Sequence, residues 1–338
     1  MTRVTLIPGD GIGPEVTAAA QRVIAAAGVE IDWEVHHAGM EVAALTGTPL
    51  PASVIESVRT NRVALKGPVG TPIGKGFKSV NVTLRQTLDL YANVRPIRSL
   101  PNVESRFDVD MVIVRENTEG LYAGLELMIL PGVAQSIKLT TDKSSTRIAE
   151  FAFRYAELRG RKRVTIVHKA NIMKISDGLA LDCTRRVAKA HPEVELAEMI
   201  VDAAAMTMVR DPNRLGVLVT ENLYGDILSD LGAGLVGGLG IVPGANIGDE
   251  AAVFEAVHGS APDIAGKGLA NPTALVQSAV MMLHHLRETA AAERIERALL
   301  DLYRAGKVRT RDLGGAASTR EFTDALCALV ERGEAAPG

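Results

Sequence analysis

Short β-rich runs alternate with amphipathic helical stretches from one end of this chain to the other, and that alternation limits the possible folds more than any other feature. Residues 4–7, 31–35, 63–66, 111–114, 164–167 and 217–220 read as strands, because aliphatic and β-branched residues gather there in runs too short for helices. Residues 14–27 and 144–158 carry apolar side chains at three- and four-residue spacing, which places them on one helical face. Asn271 suits a helix N-cap and Pro272 the first helical position, ahead of a run to about residue 286. Strands interleaved with helices in this way argue for an α/β fold. No internal repeat, low-complexity tract or linker interrupts the pattern. The stretch from Asp108 to about Pro243 is a candidate second domain, although composition does not mark its edges.

Composition narrows the function classes. A chain of 338 residues suits one large or two medium domains, and 47% hydrophobic with 23% charged residues excludes a disordered chain. The 37 bases nearly balance the 40 acids, leaving −3 with no long basic block, so no nucleic-acid or anionic-membrane partner is expected. No apolar run approaches the roughly 18 residues of a membrane span. Met1-Thr2-Arg3-Val4 leads straight into strand-like sequence, so a signal peptide is not expected. Cys183 and Cys327 form neither a disulfide framework nor a zinc site, and the expected setting is a reducing cytoplasm.

Two glycine clusters invite misreading. Ile7-Pro8-Gly9-Asp10-Gly11-Ile12-Gly13-Pro14-Glu15 follows a strand and opens a helix, but a Rossmann fingerprint needs a third glycine where Pro14 stands. Taken alone it reads as a tight strand-to-helix turn before it reads as backbone amides approaching a cofactor. Gly74-Lys75-Gly76 lacks the Ser or Thr after the lysine and the earlier glycine of a Walker A loop.

Chemistry concentrates elsewhere. Asp226 and Asp230 lie four apart in Asn222-Leu223-Tyr224-Gly225-Asp226-Ile227-Leu228-Ser229-Asp230, so a helix stacks both carboxylates on one face. Such a pair repels unless a cation sits between, and Mg²⁺ or Mn²⁺ prefers carboxylate oxygens. The alternative is a solvated acidic face, which the flanking Leu223, Ile227, Leu228 and Leu231 argue against. Arg85 follows Ser79 and Asn81, Arg95 closes Asp89-Leu90-Tyr91-Ala92-Asn93-Val94-Arg95-Pro96, and Arg115 stands at a strand end. Arginine grips carboxylates through paired planar hydrogen bonds, so three that converge would suit a polycarboxylate. Sequence alone leaves each as an ordinary surface ion-pair partner. Lys169, after the strand 164–167, is either a base beside a metal or a solvated residue.

Together these fragments resemble the isocitrate and 3-isopropylmalate dehydrogenases, the β-decarboxylating dehydrogenases of 2-hydroxy-acids. The carriers are Pro8-Gly9-Asp10-Gly11-Ile12-Gly13-Pro14-Glu15, the Asp89–Pro96 run, Arg115-Glu116-Asn117-Thr118-Glu119-Gly120, His168-Lys169-Ala170-Asn171, Asn222-Leu223-Tyr224-Gly225-Asp226, Gly237-Gly238-Leu239-Gly240 and His258-Gly259-Ser260-Ala261-Pro262-Asp263. They occur in order from residue 6 to about residue 313, nearly the whole chain. The resemblance implies a large mixed sheet flanked by helices, not a Rossmann fold. Residues 1–98 and 250–338 would form a large cofactor-binding domain, with residues 99–249 inserted as a small substrate and dimerisation domain.

The resemblance also assigns roles. Arg85, Arg95 and Arg115 would grip substrate carboxylates, with Ser79, Asn81 and Asn171 as further substrate contacts. Tyr122 and Lys169 would be the acid–base pair. Asp226 and Asp230, with Asp202 from a second subunit, would hold Mg²⁺ or Mn²⁺, and Lys169 and Asn171 would also cross a homodimer interface. Ile12, Thr71, His258, Gly259, Ser260, Ala261, Asp263, Ile264 and Asn271 would bind the cofactor. An acid at Asp263, where NADP⁺ enzymes of the family commonly carry lysine, repels a 2′-phosphate and points to NAD, although Arg309 and Arg311 lie downstream. Polar Ser79 and Asn81 point to isocitrate, because isopropylmalate enzymes present apolar residues there. Homoisocitrate, 3-isopropylmalate and tartrate are the competing substrates, and a non-catalytic regulatory subunit is the competing class.

Overall fold

Alternate residues of the inner strands serve different cores. Met111 and Ile113 enter one apolar cluster and Val112 and Val114 another, as the two-residue period of a strand requires. The computed structural model describes residues 1–71 and 77–334, so Gly74-Lys75-Gly76 lies outside the described residues.

All six expected strands are present: β1 (Thr2–Ile7), β2 (Ile31–Val35), β3 (Val63–Lys66), β5 (Asp110–Glu116), β8 (Arg163–His168) and β10 (Val217–Thr220). Six more join them: β4 (Ala92–Arg98), β6 (Gly120–Leu130), β7 (Val133–Leu139), β9 (Glu195–Ile200), β11 (Pro243–Ile247) and β12 (Ala252–Ala256). β4 and β11 escape a periodicity search because Asn93, Arg95, Pro96 and Asn246 are poor strand formers, and pairing with neighbours overrides propensity.

Ten strands make one sheet in the order β2-β1-β3-β12-β11-β4-β5-β10-β8-β9, while β6 and β7 form a separate hairpin. The sheet is mixed: β11 runs antiparallel to both β12 and β4, and β4 antiparallel to β5. β2, β1, β3 and β12 are grouped at one end, β5, β10, β8 and β9 at the other, with β11 and β4 between them.

Helices cover both faces. Gly13–Ala26 packs against Thr319–Glu334 and Thr273–His285. Asn222–Val236 lies on β4 and β5, and Asp142–Leu158 covers β5, β8 and β10 with Ser176–Ala188 beside it. The first expected helix is displaced by one residue, at Gly13–Ala26, and the second starts earlier, at Asp142. The third starts at Thr273, whose backbone N–H donates to Asn271 Oδ1 at 3.0 Å. Among the described residues no helix is long and apolar enough to cross a membrane.

Candidate active site

The sheet register assembles the site. Arg115, near the end of β5, is paired with Thr220 of β10 on one side and Asn93 of β4 on the other. Arg95 follows two residues along β4. Arg85 arrives on the helix Val80–Thr87, which Ser79 caps by accepting from the Val82 N–H. A cavity of about 200 Å³ opens where these meet, lined by Ser79, Asn81, Arg85, Arg95, Arg115, Tyr122, Asp226, His258 and Gly259 among others. Ser79, the cap, and Asn81, in the first turn, both contribute to the lining.

The helix Asn222–Val236 brings in the acids. Its first turn is capped by Glu221, which accepts from the N–H groups of Leu223 and Tyr224. Gly225 lets it approach the sheet, since a Cβ there would stand 2.5 Å from Arg115 Cγ. Arg115, only 1% exposed, donates to Asn222 Oδ1 from Nε and Nη2 and forms an ion pair with Asp226. The Tyr122 hydroxyl donates to Asp226 Oδ2 at 2.6 Å. Arg95 reaches Asp226 and Asp230, each at 3.6 Å. The helix is less buried than its leucines suggested: Ile227 is 59% exposed.

Charges here are tuned by burial and by each other. Desolvation pushes Arg95 down to about 9, helped by repulsion from Arg115 and Arg85 and opposed by Asp226 and Asp230. Burial acts to raise the Asp226 carboxyl, but Arg115, Tyr122 and Arg95 outweigh it and hold it below the usual range. Burial raises the Asp230 carboxyl despite Arg95, with Asp226 adding to the rise. The Tyr122 hydroxyl is raised by burial and then by its bond to Asp226.

Among the described residues several polar atoms in this region lack a partner: Arg85 Nε, Asn81 Oδ1 and His258 Nε2. Buried polar atoms are rarely left unpaired, so these are places for ligand atoms to bond. Asp226 and Asp230 offer hard oxygen donors one helical turn apart, which is the chemistry Mg²⁺ or Mn²⁺ takes. Among the described residues no group of three metal-binding side chains forms within the chain.

Other expected residues lie apart from the cavity lining. Lys169 and Asp202 form an ion pair with each other, and Asn171 is exposed. None of the three lines the arginine cavity. Ile12 is buried, and its N–H donates to Ser260 O at 2.9 Å, so that amide serves packing and is not free for a cofactor. Gly11 permits the contact, having φ +59° and no room for a Cβ against Ser260 O. Asp263 and Thr71 are exposed, Ala261 is half-buried with φ +39°, and Ile264 packs on the core. Asn271 is buried and donates to Asp312 at 2.9 Å.

Sequence reasoning missed Lys66 and Glu255, which line the cavity as a buried ion pair 2.6 Å apart. The signal was faint: a charged residue at the last position of β3 and at the last but one of β12.

Comparison with known proteins agrees with this architecture. The model of the isocitrate/isopropylmalate dehydrogenase family matches residues 3–326. The NAD isocitrate dehydrogenase catalytic subunit 5 of Arabidopsis thaliana mitochondria is 54% identical over 96% of this chain and 87% of its own length. The chloroplastic 3-isopropylmalate dehydrogenase of Solanum tuberosum is 53% identical over 91% of this chain and 87% of its own. The crystal structure of isocitrate dehydrogenase from Methylococcus capsulatus superimposes with a TM-score of 0.96 at 52% identity, covering 98% of this chain and 100% of that one. The family-model match, identities above 50% and near-complete coverage lead to one conclusion: this chain belongs to the isocitrate/isopropylmalate dehydrogenase family.

Proposed function

We propose that this chain catalyses the NAD-dependent oxidative decarboxylation of isocitrate, with active sites shared across a homodimer. The observation that carries the reading is the meeting of Arg85, Arg95 and Arg115 in one cavity of about 200 Å³ beside Ser79, Asn81 and the Tyr122–Asp226 pair. Three guanidiniums suit a tricarboxylate. Arg85 Nε, without a partner among the described residues, leaves a donor for a further carboxylate oxygen.

The residues divide the work. Arg85, Arg95 and Arg115 bind and orient carboxylates, and Asp226 and Asp230 with Asp202 of the partner subunit would hold the divalent cation. Once bound, NAD⁺ would supply a hydride acceptor and the cation a Lewis acid. Lys169 of the partner subunit takes the hydroxyl proton. After CO₂ leaves, Tyr122 returns a proton to C3, a role suited by a hydroxyl that stays protonated at neutral pH.

Two features support shared sites. Lys169 and Asp202 sit together but apart from the cavity that needs a base and a third carboxylate. Apolar side chains are exposed: Ile172 and Ile175, which follow Lys169 in sequence, Ile227 next to Asp226, and Leu127, Met128, Ile129 and Leu130 on the β6–β7 hairpin. The domain division at residues 1–98 plus 250–338 and 99–249 is part of the same proposal.

A panel of isocitrate, homoisocitrate, 3-isopropylmalate and tartrate with NAD⁺ and Mn²⁺, read as NADH formation, tests the reading. Isocitrate should give the highest kcat/KM, and Ser79→Leu with Asn81→Leu should collapse it. Higher kcat/KM on isopropylmalate, or no change in the double variant, would sink the assignment.

A further inference from the structure

One buried amide stands between two of the arginines. Asn246, 1% exposed, lies in β11 between β12 and β4, directly opposite Asn93. Every hydrogen-bonding position of its side chain is used. Nδ2 donates to Glu255 Oε1 at 2.7 Å and to Val253 O at 3.2 Å. Oδ1 accepts from Asn93 Nδ2 and Asn117 Nδ2, each at 2.9 Å.

The same two neighbours hold arginines. Glu255 Oε1 also accepts from Arg85 Nη2 at 2.9 Å, and Asn93 Oδ1 accepts from Arg95 Nε at 2.7 Å. A continuous path therefore runs from Arg85 through Glu255, Asn246 and Asn93 to Arg95, crossing β12, β11 and β4. Adjacent strands keep a fixed separation of about 4.8 Å, so the path ties the arginines to the sheet. Without such a tie the two cations would repel each other in a poorly solvated site.

We propose that Asn246 is a positioning residue that fixes Arg85 and Arg95 at the separation needed to bind two carboxylates of one substrate. This rests on reading those arginines as carboxylate ligands. Only an amide fits. A carboxyl group here cannot donate to Glu255 when ionised, and an alanine leaves the Asn93 and Asn117 donors buried without an acceptor. Asn246 does not line the cavity itself, so any effect on the acid must pass through the lining groups it holds, Glu255 and Asn93 with the arginines bonded to them.

The test is steady-state kinetics of the full chain in its native assembly, with Asn246→Ala and, at nearly unchanged volume, Asn246→Asp. The expected result is a rise of tenfold or more in KM for the acid, with KM for NAD⁺ within twofold of the parent. Adding Asn93→Ala to Asn246→Ala should cost less than the product of the two single effects, because the path to Arg95 is already cut. If Asn246→Ala does not fold, Asn246→Asp is read by the same criteria; if neither folds, the amide is a structural requirement and the proposal fails. An acid KM within twofold of the parent, or acid and NAD⁺ constants rising together, would also overturn it. Absence of isocitrate turnover by the unmodified chain counts against the proposed reaction alone, because the KM ratios are then measured on whichever acid of the panel it does oxidise.

Discussion

Tyr122 and Asp226 are bonded directly, the phenol donating to the carboxylate at 2.6 Å although 104 residues separate them. Burial and that carboxylate both raise the phenol, so it remains a proton donor through the neutral range. Tyr122→Phe should lower kcat by about 10²- to 10⁴-fold, the usual worth of a positioned acid, with KM for the acid changing less than about threefold. Stopped-flow and steady-state assays of NADH formation measure both. A variant that keeps full kcat would remove Tyr122 from the chemistry.

Lys169 pairs with Asp202 and not with the Tyr122–Asp226 group. If those two halves belong to different subunits in each site, Lys169→Ala and Asp226→Ala proteins, each inactive, should regain activity when their subunits exchange. A mixed dimer contains one site with Asp226 on one chain and Lys169 on the other. Up to about a quarter of the parent rate is expected from random mixing, since half the dimers then carry one intact site of two. Verified heterodimers without activity would argue for sites within one chain.

Asp263 is exposed in the loop that follows His258, where nothing in the fold demands an acid. A carboxylate accepts from a ribose hydroxyl but repels a phosphate. NAD⁺ should therefore outperform NADP⁺ in kcat/KM, and Asp263→Lys with Ile264→Tyr should narrow or reverse the preference. Equal use of both cofactors by the unmodified chain would contradict the NAD reading.

Glu255 predicts an acid limb in stability. Burial alone would raise its carboxyl, but Lys66 and Arg85 outweigh that and hold it well below its ordinary 4.5. A carboxyl whose folded value is depressed stabilises the fold above its unfolded pKa and loses that stabilisation as pH falls toward the folded value. Unfolding free energy from urea melts should therefore drop below about pH 4.5, and Glu255→Gln should flatten that slope. Equal slopes in the two proteins would show that other carboxylates govern acid unfolding.

Much of the fold is legible without coordinates because the signals are local. The strand 63–66 and the strand 217–220 carry short apolar runs that admit no other element, and the four-residue spacing of Asp226 and Asp230 holds on any helix. The ordered motifs identify the family for the same reason. β4 and β11 were illegible because Asn93, Arg95 and Asn246 are polar residues in buried strands, satisfied only by partners on neighbouring strands. Ile227 looked like core and is exposed, since helical spacing gives a direction but not what lies in that direction.

The sequence by itself determined an α/β chain, its family and the types of residue available for a carboxylate and a cation. Periodicity, caps and motif order depend on neighbours a few positions apart, and those survive in a string of letters. Only the tertiary structure decided that Arg85, Arg95 and Arg115 share one cavity and that Lys169 stays with Asp202. It also decided that Asn246 joins two of those arginines through Glu255 and Asn93. Each of those relationships depends on strand register and burial across the whole sheet, where an unpaired polar group costs about 1–3 kcal/mol and partners far apart in sequence must be found together.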